Sequence, residues 1–395
     1  MRQICLACGR TQPDGFHPFC ECGGMVDVEY ELGRVDLADS SNPYIRFADL
    51  LPVRKLRERL PPDATYTETI HATRLGKRLG MPALYLKNEC VLPTRTTKDR
   101  MAAVSLAYLA ECGIRSFCAS STGNSSTAYA LAIRGHPGMH VHLFTAEDFA
   151  GRVQHADHDQ VTHHILRGAS FVEAFNCAVT HARQNGLVSD RGFFNPGRRE
   201  GLKLAFLEAA EQVEAPIDWY VQAVSSAMGV WGCYKGAKEL RGLGRIERLP
   251  KLLCVQQTSC SPMVRAFEEG SSAILPRHLV ERPRGIAEAI LRGDPTRVYP
   301  YVRAMVLESR GGFVAVTEAE IREARRMVED CEGASPCFSA SAALAGLVKW
   351  VRSGDFPSQE TVLVNLTGGD REATQPGEKS VWLRREGADW LPESS

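Results

Sequence analysis

The sequence predicts an α/β protein whose strands form mostly parallel sheets. Short apolar runs at residues 84–87, 116–119 and 140–145 alternate with helical patterns about 10 to 15 residues long. This alternation is typical of βαβ units, in which a helix carries the chain back to begin the next parallel strand. A length of 395 residues allows two domains, or one large α/β unit with a satellite, and the 44% hydrophobic content is ample for a substantial core.

The composition argues against several classes of partner. The 47 basic residues balance the 47 acidic ones, so we expect no nucleic-acid partner and no anionic membrane partner. No run approaches the roughly 18 to 20 apolar residues of a membrane span, and the first residues lack the apolar centre of a signal peptide. With 13 cysteines and no such signal, we expect a cytoplasmic protein with reduced thiols.

Four cysteines near the start of the sequence form two close pairs, each followed by glycine. The first pair has the C-x2-C spacing, and the second is one residue tighter. Such pairs are typical of knuckles that hold a structural zinc ion, so we predict a zinc-ribbon-like knuckle over residues 1–30. His17 could replace one cysteine, and the alternative is a former metal knuckle that packing now holds. The predicted zinc ligands are Cys5, Cys8, Cys20 and Cys22.

A lysine at a helix entry is the first candidate for chemistry. The stretch Val91-Leu-Pro-Thr-Arg-Thr-Thr-Lys98 joins a predicted strand at 83–87 to a predicted helix from Asp99 to about Leu109. The threonine hydroxyls suit a helix start because they can accept hydrogen bonds from backbone N–H groups. The positive end of the helix dipole disfavours a cation at Lys98 and favours an amine that can attack a carbonyl. The alternative is an ordinary solvated lysine.

A second polar turn follows the next apolar run. Ser120-Ser-Thr-Gly-Asn124 comes after that run and precedes a predicted helix of small residues at 128–133. Small residues at a strand-to-helix turn allow a ligand to approach the backbone closely. The presence of both turns indicates a ligand site.

These turns resemble motifs of pyridoxal-phosphate (PLP) enzymes of the tryptophan-synthase-β superfamily. The lysine stretch is similar to their Pro-Thr-Gly-Ser-Phe-Lys-Asp-Arg motif, and the serine turn is similar to their loop for the substrate carboxylate and the cofactor ring. Asn195-Pro-Gly-Arg-Arg-Glu-Gly-Leu-Lys203 resembles a segment of threonine synthases, and Leu366-Thr-Gly-Gly369 resembles their C-terminal Leu-Thr-Gly. The resemblance runs from about residue 65 to about residue 372, in the expected order.

The resemblance implies the architecture known as PLP fold type II. This architecture has two three-layer αβα domains with twisted, mostly parallel sheets. We expect a large PLP-binding domain at residues 31–95 and 193–395, and a small domain at residues 96–192. Members of the superfamily are commonly dimers, so the resemblance also implies a homodimer.

The same resemblance implies a role for individual residues in binding pyridoxal 5'-phosphate. Lys98 would form the Schiff base with the cofactor and later move protons, while Asn124 would hydrogen-bond the ring 3'-hydroxyl. Thr367 would face the pyridine nitrogen with a neutral hydroxyl, which suits elimination and replacement better than transamination. Arg198 would help hold an anionic group of the substrate, because its guanidinium forms bidentate bonds with carboxylate or phosphate. The residues implied to bind the substrate are Thr94, Ser121, Thr122, Ser125 and Arg198.

A third turn predicts a phosphate site. A buried strand at residues 219–224 precedes this turn, and a helix at residues 230–240 follows it. Backbone N–H groups at such a helix start make a cradle for phosphate. The related family loop is rich in glycine and asparagine, whereas this turn has one glycine. The turn residues predicted to bind the phosphate are Ser225, Ser226, Ala227, Met228 and Gly229.

Three further segments carry expectations about structure. His155, His158, His163 and His164 lie close together in the sequence, which suggests a metal site. No cysteine or carboxylate set accompanies them, so we expect a solvated helix over residues 152–164. We also expect residues 270–312 to be irregular and the chain beyond about residue 375 to be a loose tail.

The expected activity is PLP-dependent elimination and replacement at the β or γ carbon of an activated amino acid, which makes the protein a lyase or transferase. The threonine synthase-like reaction converts O-phosphohomoserine and water to threonine and phosphate. The alternative is a cysteate synthase-like or other biosynthetic β-replacement on O-phosphoserine or another activated serine. Cys337 and Phe338 stand where family members often carry Glu-Pro-Ala, which favours a specialised enzyme. A non-catalytic PLP-binding regulatory protein is an alternative of another class, against which the presence of Lys98, Asn124 and Thr367 argues.

Overall fold

The computed structural model describes residues 1–55, 57–61, 66–354 and 356–393. The chain forms two compact units. The first unit comprises Met1–Ala64, Lys98–Gly201 and Arg371–Ser395, and the second comprises Thr65–Thr97 and Leu202–Asp370. Each unit has its own six-stranded sheet among the described residues.

The strands and helices alternate through most of the chain, as the sequence predicts. The strands are β1 (Arg2–Cys5), β2 (Thr11–Gln12), β3 (Val26–Glu29), β4 (Thr69–His71), β5 (Leu84–Asn88), β6 (Ser116–Ser120), β7 (His140–Ala146), β8 (Val161–Leu166), β9 (Val188–Ser189), β10 (Trp219–Ala223), β11 (Lys251–Gln257), β12 (Gly312–Val316), β13 (Val362–Leu366), β14 (Val381–Glu386) and β15 (Asp389–Pro392). The helices are α1 (Pro43–Arg46), α2 (Thr73–Leu79), α3 (Lys98–Glu111), α4 (Asn124–Ala132), α5 (Phe171–Gln184), α6 (Pro196–Gln212), α7 (Met228–Gly242), α8 (Pro262–Glu268), α9 (Tyr299–Glu308), α10 (Glu318–Glu332) and α11 (Phe338–Ser353).

The sheet of the second unit has the order β12-β11-β10-β13-β5-β4. Its strands run parallel except for β4, which pairs antiparallel with β5. One face carries alternate apolar residues such as Val221, Val255 and Val364, which pack with α2, α10 and α11 in one buried cluster. The other face is also covered, since the ring of Phe206 on α6 packs edge-on against Tyr220 at 6.0 Å. This unit therefore has the expected three-layer arrangement.

The sheet of the first unit has the order β15-β14-β8-β7-β6-β9 and is parallel apart from the β14–β15 pair. Side chains alternate between its two faces. Cys118 and Phe144 pack with the apolar side of α5, whereas Phe117 points the other way and meets Tyr129 of α4 at 5.3 Å. The predicted α/β fold with mostly parallel sheets is confirmed in both units.

Helix starts follow local sequence signals. Ser170 caps α5 and Thr317 caps α10, each by accepting from the N–H group three residues on, while Glu173 and Glu320 bond back to the cap. These reciprocal bonds satisfy backbone donors that a helix start leaves unpaired. The predicted cap at Thr317 is therefore present.

A small antiparallel sheet of order β2-β1-β3 lies at the start of the first unit. Asp27 on β3 pairs with Arg199 of α6, and both side chains are buried. Arg199 also donates to the carbonyl oxygen of Val26 at 2.5 Å. These bonds attach the small sheet to α6.

The prediction of a solvated helix over residues 152–164 is wrong. Residues 161–166 form β8, which pairs in parallel with β7. His163 and His164 are both buried on this strand, and they point to opposite faces because side chains alternate along a strand. The run Val-Thr-His-His-Ile-Leu has no helical periodicity, and its β-branched residues favour a strand.

Two other expectations are corrected. Residues 270–312, expected to be irregular, include α9 (Tyr299–Glu308). The segment beyond residue 375, expected to be a loose tail, forms β14 and β15, and Leu383 on β14 is buried in the core beneath α5. Sequence alone missed β14 because its apolar run is only three residues long, Val381 to Leu383, and three exposed charged residues follow it.

The structural units differ from the predicted domain limits. Residues 31–64 lie with the first unit rather than with residues 66–97. Residues 371–393 also belong to the first unit, because β14 extends its sheet beside β8. Among the described residues, no helix is long and apolar enough to cross a membrane.

Candidate active site and cysteine cluster

Three loops leave the same edge of the second unit's sheet. β10, β13 and β5 are parallel neighbours, and Val364 of β13 lies opposite both Val221 and Leu86 in the register. Carboxyl ends of parallel strands lie at one edge, and α/β proteins bind their ligands outside that edge. The loops that leave it are residues 89–97, 224–227 and 367–369.

The loop before Lys98 is tied to the segment that carries Thr367. The backbone N–H of Thr97 donates to the carbonyl oxygen of Thr367 at 2.9 Å, and Thr96 forms an isolated bridge with Gly368. A Cβ at Gly368 would lie 2.6 Å from the carbonyl oxygen of Arg95, so only glycine fits beside this loop. Thr94 is buried in the same loop. The loop that precedes the predicted nucleophile thus passes directly beside the predicted partner of the ring nitrogen.

Lys98 begins α3, where the sequence places a helix start, and its side chain is half-buried. Lys87, on β5, is the other lysine close to this loop in the sequence. Lys87 is fully buried, and its ammonium lies 2.8 Å from a carboxylate oxygen of Glu208 and donates to the carbonyl oxygen of Thr67 at 2.7 Å. A buried lysine with a neutralising carboxylate is a structural ion pair. Lys98 therefore remains the candidate for the chemistry.

The predicted phosphate turn has the geometry of an anion site. Ala227 has a positive φ of 57°, and α7 begins at Met228. The N-cap residue Ala227 makes no side-chain hydrogen bond to the start of α7, and the first backbone N–H groups of a helix are suited to bind an anion. Ser225 and Ser226 are half-buried just before the turn. A Cβ at Gly229 would lie 2.7 Å from Nε2 of Gln222, which explains the single glycine here.

The serine turn of the first unit is held by Ser121. Its Oγ accepts hydrogen bonds from the backbone N–H groups of Gly123 and Ser126, both at 3.1 Å. Gly123 has a φ of 112°, and a Cβ there would lie 2.6 Å from the Cβ of Arg152. Thr122, between Ser121 and Gly123 in the sequence, is half-buried. Ser121 therefore fixes the turn as well as being a predicted substrate contact.

Asn124 is the first residue of α4, and a residue that the sequence analysis missed orients its side chain. The guanidinium of Arg371 donates to Oδ1 of Asn124 at 2.6 Å. Because Oδ1 accepts from Arg371, the amide nitrogen is the atom that Asn124 can offer to a ligand. A donor of this kind suits the phenolic oxygen of the PLP ring. The sequence signal that could have identified Arg371 is its position close after the Leu366-Thr-Gly-Gly369 motif.

Arg198 lies in a buried network of the first unit. Its guanidinium pairs with Asp190 and donates to Oγ of Ser125 at 2.6 Å. Asp190 also accepts hydrogen bonds from Tyr129 at 2.8 Å and from Asn195 at 2.9 Å. Since Arg198 is only 4% exposed, its direct contact is with Ser125, a predicted substrate residue. Asp190 is the second residue that the sequence analysis missed.

The other basic residues of the Asn195–Lys203 segment are structural. Arg199 pairs with Asp27, and Lys203 pairs with Glu239 at 2.8 Å. Both side chains are fully buried. Their charges are neutralised by protein carboxylates, so this cluster is not the ordinary surface charge that a run of basic residues usually indicates.

The four N-terminal cysteines come together as the sequence predicts. Cys22 Sγ lies 3.5 Å from the sulfurs of Cys5 and Cys8, and the sulfurs of Cys8 and Cys20 are 3.8 Å apart. Four sulfurs around a tetrahedral zinc ion, each about 2.3 Å from it, lie about 3.8 Å from one another. A Cβ at Gly24 would lie 2.7 Å from Cys5 Sγ, so glycine is required there.

The electrostatics of this cysteine cluster favour a thiolate at Cys5 and Cys20 but not at Cys22. Burial alone would raise the pKa of the Cys5 thiol, but hydrogen bonds from the backbone N–H groups of Cys8 and Ala7 lower it to about 7. The backbone N–H of Cys22 likewise lowers the pKa of Cys20. At Cys22 a hydrogen bond from the backbone N–H of Gly24 lowers the thiol pKa, yet the neighbouring sulfurs of Cys5 and Cys8 outweigh it and raise the pKa to about 11. Thiolates are the metal-binding form of cysteine, so the donor set fits zinc. His17 is not needed as a ligand, because the four sulfurs already make a complete set.

Comparison with known proteins gives the family. A family model described as pyridoxal-phosphate dependent enzyme matches residues 60–368, which is more than half of the chain. The chain belongs to this family of pyridoxal-phosphate dependent enzymes.

Individual proteins that are similar to this chain include threonine synthases and cysteate synthases. A threonine synthase of Methanosarcina acetivorans is 30% identical over 378 residues, covering 92% of this chain and 90% of that protein. A cysteate synthase of Methanosarcina barkeri is 28% identical over 383 residues, covering 92% and 91%. Among solved structures, the processed form of threonine deaminase isoform 2 from Solanum lycopersicum superposes with a TM-score of 0.64 at 18% identity, covering 77% of this chain and 84% of that one. This structural likeness supports the fold.

The residues present fit the cofactor of the family. The uncapped start of α7 offers backbone donors for a phosphate group, and Asn124 offers an amide donor for a ring oxygen. Lys98 offers an amine, and Thr367 offers a neutral hydroxyl. The family match makes the chain a PLP-dependent enzyme, and these residues are candidates for holding its cofactor.

Proposed function

We propose that this enzyme catalyses elimination and replacement on an O-phosphorylated amino acid, as threonine synthase does. The substrate is O-phosphohomoserine, and water is the incoming nucleophile. The products are threonine and inorganic phosphate. The relative with 30% identity over nine-tenths of both chains supports this choice.

The observation that carries the proposal is the arrangement at the carboxyl edge of β5, β13 and β10. The loop to Lys98, the segment with Thr367 and the uncapped start of α7 follow three adjacent strands of one sheet. The backbone bond between Thr97 and Thr367 holds two of these segments together. An amine, a neutral hydroxyl and a phosphate-binding helix start are the groups that a PLP enzyme needs.

Each residue has a proposed task. Backbone donors from Ser225 to Gly229 hold the cofactor phosphate, Asn124 donates to the ring oxygen, and Thr367 faces the ring nitrogen. The turn residues Ser121, Thr122 and Ser125 hold the substrate carboxylate, with Thr94 as a further substrate contact. Arg198 supports this anion site through its bond to Ser125.

Bound PLP supplies an electron sink that weakens the bonds at the substrate's α carbon. Lys98 would hold the cofactor through its amine. When substrate is bound, the same amine would accept a proton from the α carbon and later return protons to the product. The neutral hydroxyl of Thr367 would leave the ring nitrogen unprotonated, which would make the cofactor a weaker electron sink. A weaker electron sink favours loss of a leaving group over transamination.

Cysteate synthase-like chemistry is the second candidate. Several relatives named cysteate synthase match with similar coverage, one of them at 28% identity. In this reaction sulfite replaces the phosphate of O-phosphoserine, giving cysteate and inorganic phosphate. Both reactions share one requirement, which is a phosphorylated amino acid as substrate.

A substrate panel tests the proposal. The PLP-loaded enzyme is given O-phosphohomoserine with water, O-phosphoserine with sulfite, O-acetylserine with sulfide, and threonine alone. We expect one phosphate and one threonine per O-phosphohomoserine consumed, and no turnover by Lys98→Ala. Lys77→Ala, which changes an exposed lysine on α2, serves as the control. Phosphate release only with O-phosphoserine and sulfite would favour the second candidate, and turnover of only unphosphorylated substrates would overturn both.

Three accompanying properties are part of the proposal. The four thiolates of the N-terminal cluster would hold a structural zinc ion and would need a reducing compartment, so we place the enzyme in the cytoplasm. The assembly is a homodimer, as the superfamily resemblance implies. The partner is a small phosphorylated amino acid, and we expect no nucleic-acid partner and no membrane partner.

A further inference from the structure

Three histidines from different elements meet in the first unit. His142 lies on β7, His164 lies on β8, and His181 lies in the last turn of α5. One ring nitrogen from each lies within 4.8 Å of the other two. Of the four histidines that the sequence singled out, only His164 belongs to this cluster, and the other two members come from distant positions.

The spacing of the nitrogens fits a metal ion. Nδ1 of His142 and Nε2 of His164 are 3.3 Å apart. Two imidazole nitrogens that each lie about 2.05 Å from a tetrahedral ion would be about 3.3 Å apart. A hydrogen bond between two rings would account for this distance, but it would not account for the third ring. The ring centroid of His181 lies 5.2 Å from that of His142 and 5.3 Å from that of His164.

The described residues around these three rings are apolar or are hydrogen-bonded elsewhere. Phe144 stacks on His164 at 4.3 Å and touches His181 at 5.2 Å, so an apolar wall covers one side. Among the described residues, no carboxylate or thiol belongs to this cluster of ligand atoms. His140 is a neighbour on the same strand, yet its Nε2 is bonded to the hydroxyl of Thr162 at 2.8 Å. Uncharged imidazoles with no counter-charge suit a late first-row divalent cation.

We propose that His142, His164 and His181 form a second metal site, which binds Zn²⁺ and is separate from the cysteine cluster. Three imidazole ligands leave the fourth tetrahedral position for water. The ion joins β7, β8 and α5, so it ties the helix to the middle of the first unit's sheet. The site does not depend on the proposed reaction, because none of its ligands takes part in the chemistry.

The first test counts zinc ions per chain in the full-length, PLP-loaded protein. Equilibrium dialysis against Zn²⁺ and elemental analysis are applied to wild type, His181→Ala and His140→Ala. We expect His181→Ala to hold one ion fewer than wild type, and to bind that ion at least about 100-fold more weakly, because loss of a direct ligand costs at least as much as loss of a supporting residue. His140→Ala should match wild type. The count is a difference between variants, so it does not depend on whether the cysteine cluster is filled.

Three results would overturn the site. Equal zinc content in all three proteins would show that the cluster holds no ion. Equal loss in His181→Ala and His140→Ala would indicate unselective binding by imidazoles. If His181→Ala does not fold, ¹¹³Cd NMR of the wild-type protein decides, because nitrogen ligation and four-thiolate ligation give well-separated signals. The absence of any signal from nitrogen ligation would then reject the proposal.

Discussion

At the scale of single residues, pairing with buried carboxylates determines the role of the basic side chains of α6. Arg198, Arg199 and Lys203 follow one another in a segment that looks like a surface patch in the sequence. In the structure each one pairs with a buried carboxylate. A buried pair is costly to break because the remaining charge has lost both its partner and water. Substitutions here will therefore affect stability as well as substrate binding.

Replacing Arg198 separates these effects. Arg198→Ala should lower the free energy of unfolding by about 3 to 5 kcal/mol, because Asp190 would remain buried without a counter-charge. Arg198→Lys keeps the charge but loses the bond to Ser125, so it should cost less stability and still raise KM. Urea unfolding and steady-state kinetics measure the two quantities. Arg34→Ala, which breaks an exposed ion pair with Glu31, should change stability by less than about 1 kcal/mol.

The kinetics of Arg198→Lys also show which anion the residue serves. Since Arg198 contacts Ser125, we expect the KM of the phosphorylated substrate and the inhibition constant of an unphosphorylated amino acid, which share a carboxylate, to rise by a similar factor. A rise confined to phosphorylated substrates would instead place the leaving phosphate at Arg198.

Arg371 gives a second residue-scale prediction. Arg371→Met removes the donor that orients Asn124, so PLP should bind about 10- to 150-fold more weakly, corresponding to about 1.5 to 3 kcal/mol for a charge-assisted bond. A titration of the apoenzyme with PLP, followed by absorbance, measures the change. Arg384→Met, at an exposed position on β14, is the matched control. Unchanged affinity in Arg371→Met would mean that Asn124 is oriented by other contacts.

The sequence indicated candidate residues for the chemistry more readily than it indicated the residues that contact and orient those candidates. Lys98 and Asn124 were found because each begins a helix after a polar turn with a distinctive motif. Asp190 and Arg371 escaped notice because they act through contacts between segments distant in the chain. An isolated charged residue in a sequence gives no indication of the distant atom it will meet.

At the scale of secondary-structure elements, the N-terminal knuckle is the clearest test case. Cys5→Ser should lower the zinc content by one ion per chain and lower Tm, since zinc binding contributes directly to folding of such knuckles. Cys331→Ser, on α10, keeps the four-sulfur cluster intact and serves as the control. Wild-type protein without zinc at the cluster would contradict this assignment.

The C-terminal strand offers another element-scale prediction. Leu383 on β14 is 5% exposed, whereas Leu391 on β15 is 44% exposed. Leu383→Ala should lower the free energy of unfolding by about 2 to 5 kcal/mol because it leaves a cavity beneath α5. Leu391→Ala should change it by less than about 0.5 kcal/mol. Equal small effects would indicate that the end of the chain is a loose tail after all.

Elements with strong periodicity were predictable, and those with weak periodicity were not. β5, β7 and β10 are short apolar runs, and their limits lie within a residue or two of the predicted ones. The start of β8 lies within the segment for which the sequence suggests a helix, because two histidines on the strand and two before it obscure the apolar pattern. β14 has only three apolar residues, followed by three exposed charged ones, so its pairing with β8 could not be read from the sequence.

At the scale of the whole molecule, neither six-stranded sheet is built from one continuous stretch of chain. The chain leaves each sheet before it is complete and later returns to it once. The second unit inserts β13, the last strand of its sheet in the chain, between β10 and β5. This order brings Thr367 between the lysine loop and the phosphate turn. Sequence could predict parallel strands, but it could not predict the strand order except through resemblance to a known family.

The assembly is a prediction at this scale. We expect sedimentation equilibrium of the PLP-loaded enzyme to give twice the mass of one chain at the concentrations used for assay. A mass of one chain with full activity would show that the monomer is sufficient.

The central claim is that the amine of Lys98 carries the cofactor. The most direct measurement is borohydride reduction of the PLP-loaded enzyme, followed by digestion and mass mapping of the modified peptide. We predict stoichiometric pyridoxyl modification of Lys98, and none of Lys87, whose ammonium is committed to Glu208. Modification of another lysine, or no modification at all, would contradict the account.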